Sequence, residues 1–102
     1  MEPITEKVVK KAKQIDKIKE PGKFKVIFCN DDVTPMEFVV SVLITVFRHT
    51  QDRAMQITME VHHSGSGVAG IYPFEIAEQK EQDASNLARA NNFPLVIKIE
   101  PE

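Results

Sequence analysis

"KFKVIFCNDDVTPMEF", Lys23 to Phe38, changes its pattern half-way along. Its first letters alternate, with Phe24, Val26 and Phe28 set against Lys23, Lys25 and Ile27, the period of a half-buried strand. The alternation stops at Asn30, Asp31 and Asp32, and the letters "TPME" then have the form of a capping box. In that motif Thr34 accepts from the backbone N–H of Glu37, Glu37 reaches back to the N–H of Thr34, Pro35 takes the first helical position, and Val33 with Phe38 forms a hydrophobic staple. The reading is a strand that runs straight into a helix over 35–48. That helix sends Val39, Val42, Leu43, Val46 and Phe47 inward, and its many β-branched residues mean that burial must offset modest propensity.

Working outward, a second helix is expected over 52–62, where Ala54, Ile57, Thr58 and Val61 share one face. "HSGSGVAGIYPF" then reads as a glycine-rich turn and a strand over 68–72 that Pro73 stops. A third helix over 74–91 buries Ile76, Ala77, Ala84, Leu87 and Ala88 and exposes Glu75, Glu78, Lys80 and Glu81. Leu95, Ile97 and Ile99 alternate with Val96, Lys98 and Glu100 in a last strand. The order βααβαβ predicts an α+β open sandwich: a small antiparallel sheet with helices on one face.

A chain of 102 residues with 42% hydrophobic content makes one domain, which at this size removes roughly 65% of its unfolded surface from water. No apolar run approaches the ~20 residues that span a bilayer, and no secretory signal is recognisable at the start, so the expectation is a cytoplasmic protein with no membrane partner. Cys29 is the single cysteine, which excludes an internal disulfide and any multi-cysteine zinc site, and it reads as a small packing residue. Charge is unevenly spread. Residues 1–23 carry seven lysines against four acidic residues, a formal +3, which leaves −5 on the rest of a chain whose total is −2. The acidic remainder argues against nucleic acid as a partner, since phosphate binding needs a concentrated positive face. With "EPG" at Glu20 to Gly22 as punctuation, the expected division is a flexible basic tail over 1–22 and a folded domain over 23–102.

Several motifs compete for a functional reading. "GSGVAG", Gly65 to Gly70, matches a dinucleotide-binding pattern in its letters, but it follows a helix and enters a strand, the reverse of what phosphate binding at a helix N-terminus needs. His62 and His63 are neighbours, which on a helix point about 100° apart and lack the spacing that aims two imidazoles at one ion. Asp31 and Asp32 with His62 still allow a metal-dependent hydrolase. No serine, threonine or cysteine stands in a recognisable nucleophile turn. The plain alternative is a loop whose side chains only satisfy turn and helix-start N–H groups.

"KVIFCNDDVTPMEFVVSVL", followed at matching spacing by "DRAMQITMEVHHSGSGVAGIYPFEIAEQK" and "FPLVIKIE", resembles the ClpS family of adaptors. The resemblance covers 24–100 and implies the fold of the ribosomal stalk protein's C-terminal domain. It also implies a non-enzymatic function without cofactor or metal. Such an adaptor binds the free α-amino group and bulky first side chain (Leu, Phe, Tyr or Trp) of N-degron substrates and delivers them to a AAA+ Clp unfoldase. By the same resemblance Asn30, Asp31, Asp32 and His62 receive the α-amino group, and Thr34, Met36, Val39, Thr58, Val61 and Leu95 line the hydrophobic pocket. Glu75 and Lys80 match positions that touch the N-terminal domain of a ClpA- or ClpC-like unfoldase, and the protein is expected to be a monomer. The readings from other classes are the hydrolase and a stalk-like interaction module without a pocket. One departure stands out: many relatives carry methionine where this chain has Thr58, which implies a wider hole that favours aromatic first residues.

Overall fold

The computed structural model describes residues 22–102. The basic tail lies outside the described residues but for Gly22. Six elements follow in the expected order: β1 (Phe24–Cys29), α1 (Met36–Thr45), α2 (Gln51–Ser64), β2 (Ser66–Tyr72), α3 (Phe74–Ala90) and β3 (Val96–Pro101). The sheet is antiparallel throughout, with β1 between β2 and β3. Each strand buries alternate residues. Val26 and Phe28 of β1 and Ile97 of β3 lie under the helices, while Lys25, Ile27, Val96, Lys98 and Glu100 stay at least partly exposed. This is the α+β sandwich that the periodicities imply.

β2 starts two residues earlier than expected, because Gly65 alone makes the turn. It caps α2 in the left-handed region at φ 90 and its N–H donates to the Val61 carbonyl, a conformation that glycine adopts without a Cβ penalty. Further along, the pairing of Val26 with Gly70 and of Ile27 with Val68 leaves Ala69 as an extra residue in β2, a bulge. The Ala69 carbonyl receives the Nε2–H of His49. A carbonyl only accepts, so that ring nitrogen carries the proton.

The capping box is not formed. Thr34 donates both its N–H and its hydroxyl to Asp31, and Pro35, at ψ 146, is the residue before the helix and not its first member. Nor is there a staple: Val33 is 62% exposed, and Phe38 packs edge-on against Phe93 at 4.9 Å between ring centroids. α1 also stops at Thr45, short of Arg48, which turns left-handed at φ 64. Val46 and Phe47 nevertheless stay inward, Phe47 edge-on to Phe28 at 5.4 Å. α2 buries the four predicted residues Ala54, Ile57, Thr58 and Val61, and Thr50 caps its start by accepting from the N–H of Arg53.

α3 lies on the sheet through Ala77, Ala84 and Ala88, all fully buried. Small side chains let the helix axis approach closely, which leaves the larger neighbours no room underneath. Ile76 is therefore 48% and Leu87 40% exposed, against the expectation that both are core. On the side expected to face water, Lys80 and Glu81 are half-buried. Lys80 Nζ donates to the Val46 carbonyl at 2.7 Å, and Glu81 accepts from the Ser85 hydroxyl. A lysine at the end of α1 satisfies a carbonyl that the helix leaves open, with favourable charge for its dipole.

Candidate functional site

Three chain ends converge beyond the last residue of β1. The N–H of Asn30 donates to the Gly65 carbonyl at 2.9 Å, which ties the end of β1 to the end of α2. The Asp31 carboxylate then folds the loop that leads into α1. It accepts the N–H of Val33 at 2.8 Å, the N–H of Thr34 at 2.6 Å and the Thr34 hydroxyl at 2.8 Å. Leu95, buried just ahead of β3, closes the third side.

Between these ends is a cleft lined by Cys29, Asn30, Asp31, Thr34, Val39, Val61 and Leu95. Its floor is aliphatic and its rim polar. The volume is about 10 Å3, room for a single water, so a bulky side chain enters only if the walls part. Six of the ten residues expected to receive a ligand are thus together: Asn30, Asp31, Thr34, Val39, Val61 and Leu95. The other four do not line the cleft. Asp32 and His62 are exposed, each next in sequence to a lining residue. Met36 is 38% exposed on the first turn of α1. Thr58 is 3% exposed, and its hydroxyl donates to the Ala54 carbonyl one turn earlier at 2.8 Å. Cys29 was not expected here. Its only signal was its place between the strand and the acidic pair.

Burial pushes the Asp31 carboxyl upward, but the donors from Thr34 and Val33 outweigh it and hold its pKa below 3.8. A carboxyl lowered on folding contributes its stabilisation fully above the unfolded value, and loses it as pH falls through the folded one. Asp31→Ala is therefore expected to lower stability at pH 7 by about 1 kcal/mol, the usual worth of a capping oxygen. Urea unfolding of both proteins at pH 7 and at pH 2–3 checks this, and the difference between them should shrink in acid. A constant difference would mean that the charge of Asp31 does not support the loop.

Among the described residues no three His, Cys, Asp or Glu side chains stand together as a metal-holding group, so Asp31, Asp32 and His62 do not form one. A much larger groove of about 710 Å3 lies elsewhere, lined by Thr45, Val46 and Arg48 on one side and by Lys80, Asp83, Asn86 and Leu87 of α3 on the other. Its size does not make it the ligand site, because it is an open groove lined mostly by charged and polar side chains, whereas small-ligand sites enclose what they bind. Lys80 lies in this groove. Glu75 is exposed on the first turn of the same helix, away from the cleft.

The family model for ATP-dependent Clp protease adaptor protein ClpS matches residues 19–98. The chain belongs to the ClpS family. An ATP-dependent Clp protease adapter protein ClpS from Campylobacter jejuni (strain RM1221) is 45% identical over 86 residues, 84% of this chain and 90% of that protein. A ClpS from Clostridium acetobutylicum is 47% identical over 87 residues, covering 85% and 86% of the two chains. In three dimensions the fold is similar to Agrobacterium tumefaciens ClpS2 bound to L-phenylalaninamide, with a TM-score of 0.78 and 41% identity over 81% of this chain and 100% of that one. The chain is thus an adaptor of the Clp protease type by family. No helix among the described residues is long and apolar enough to cross a membrane.

Proposed function

We propose that this protein binds proteins and peptides through a free α-amino group and a bulky hydrophobic first residue, and delivers them to a AAA+ Clp unfoldase without acting as an enzyme. The observation that carries the reading is the cleft, where an apolar floor of Val39, Val61 and Leu95 meets a rim that bears Asn30 and Asp31. The structurally similar Agrobacterium ClpS2 was solved with L-phenylalaninamide, a compound with a free α-amine and an aromatic side chain. An α-ammonium brings three donors and one charge. Asn30 and Asp31 on the rim, joined by the exposed Asp32 and His62 next to lining residues, supply the acceptors, and charge-assisted bonds of this kind are worth about 1.5–3 kcal/mol each. Asp31 spends most of its capacity on the loop, so its part is to hold the rim in shape and lend it negative charge. Thr34, Met36 and Thr58 complete the pocket with the floor residues once the walls open.

Glu75 and Lys80 are proposed to meet the N-terminal domain of a ClpA- or ClpC-like unfoldase. An ammonium has three N–H donors, and the bond to the Val46 carbonyl uses one of them. The acidic folded body fits protein partners and not nucleic acid. The working form is a cytoplasmic monomer that needs no cofactor and no metal.

A titration tests this reading: a fluorescent Phe-initiated peptide is added to the purified protein in the presence of a chelator. Saturable binding with the peptide recovered intact is expected. Absence of binding, or cleavage of the peptide, would refute the adaptor reading. Because every proposed contact lies beyond residue 22, removal of residues 1–19 should leave peptide affinity within about threefold, roughly 0.6 kcal/mol, while delivery to the unfoldase fails. A truncated protein that no longer bound peptide would place the tail in the binding site.

A further inference from the structure

Gly67 faces the core from β2, where it pairs with Phe28 of β1. A methyl group on its Cα would stand 2.9 Å from Cγ2 of Val61, and 3.5 Å from both the Ile57 carbonyl oxygen and the Val61 nitrogen. Carbon atoms pack at about 3.5–4.0 Å, so Val61 already occupies the space that a side chain at position 67 would need. The backbone there does not call for glycine, since the glycine with positive φ is Gly65. What Gly67 contributes is vacancy. The residue that fills it, Val61, also lines the cleft together with Val39 and Leu95.

We propose that Gly67 sets the depth of the cleft, and with it the preference for large first side chains, by letting Val61 sit back against β2. This rests on the cleft being the site for the first residue of a substrate. Gly67 acts through Val61 and is a positioning residue. A β-branched side chain on a helix holds essentially one χ1 rotamer, so Val61 cannot swing aside when pushed. The α2 backbone behind it is in contact as well. A methyl at position 67 therefore drives the wall toward Leu95 and Val39, into a cleft with only about 10 Å3 to spare.

Fluorescence anisotropy with Trp-, Phe- and Leu-initiated peptides separates the outcomes, using the full chain, Gly67→Ala, Val61→Ala and the double variant. Gly67→Ala should weaken Trp and Phe peptides about fivefold and the Leu peptide less than about twofold, as expected for about one methylene of lost depth. Val61→Ala in the same background should restore Trp and Phe. An equal loss for all three peptides, or no recovery in the double variant, would overturn the proposal. Methyl NOEs decide it without any ligand: in a folded Gly67→Ala protein, those from Val61 to Leu95 and Val39 should strengthen, and unchanged NOEs overturn it whatever the peptides do. A wild-type protein that binds none of the peptides sinks the adaptor reading and leaves the NOEs to rule on Gly67.

Discussion

Acetylating the α-amine of a Phe-initiated peptide is expected to weaken its binding to this protein at least tenfold. The aromatic ring and its fit to Val39, Val61 and Leu95 are unchanged by the modification, so the loss reports the rim alone. Acetylation removes the positive charge and all but one of the N–H donors. It also brings an acyl group against acceptors that water can no longer fully solvate. Tenfold corresponds to about 1.4 kcal/mol, and a single charge-assisted bond is worth about 1.5–3 kcal/mol, so one lost contact already meets the figure. Two would give a hundredfold or more. Competition of free and acetylated peptides against one labelled probe measures the ratio directly. Equal affinities would show that Asn30 and Asp31 serve only the loop, the plain alternative that the sequence leaves open.

The parts of the fold set by periodicity were legible in the sequence. Val26 with Phe28, and Ala54, Ile57, Thr58 and Val61 together, are buried as expected because one spacing puts all members of each set on one face. The misreadings come from competition that spacing does not express. "TPME" has the letters of a capping box, but Asp31 stands three residues before Thr34 and its two carboxylate oxygens take both the N–H and the hydroxyl of Thr34, while the helix starts only after Pro35, so Thr34 turns back to Asp31 and not forward to Glu37. Ile76 and Leu87 are the most apolar members of their helix, yet the seam of Ala77, Ala84 and Ala88 decides which side meets the sheet. Lys80 reaches a carbonyl 34 residues away, a contact no local pattern encodes. At the site, the residues alone left a metal-dependent hydrolase and a plain helix-start loop in contention. Geometry adds that the acidic pair divides: Asp31 builds the loop, and Asp32 remains exposed beside it.

Thr58→Met is expected to shift the preference between Phe- and Leu-initiated peptides by roughly tenfold in favour of leucine, within the ~1–3 kcal/mol that one methylene is worth in an apolar pocket. Thr58 lies one turn before Val61 and His62 on α2 and is buried without lining the closed cleft. We propose that Thr58, one turn from Val61, forms part of the opened pocket and so governs how much room it offers. Threonine keeps its own hydroxyl satisfied on the Ala54 carbonyl, so a side chain shorter than methionine, which takes up less space, stands there without an unpaired polar group. An aromatic ring needs that space more than leucine does. Wild-type protein should accordingly bind Phe-, Tyr- and Trp-initiated peptides more tightly than a Leu-initiated one. Methionine is longer and loses the hydroxyl, so it fills the space with dispersion contacts that suit the smaller side chain and obstruct the larger. Anisotropy titrations of the four peptides against both proteins measure the shift, with thermal unfolding to confirm that the variant is folded. If order and spacing of the four affinities are unchanged, the side chain at position 58 does not control what the cleft accepts.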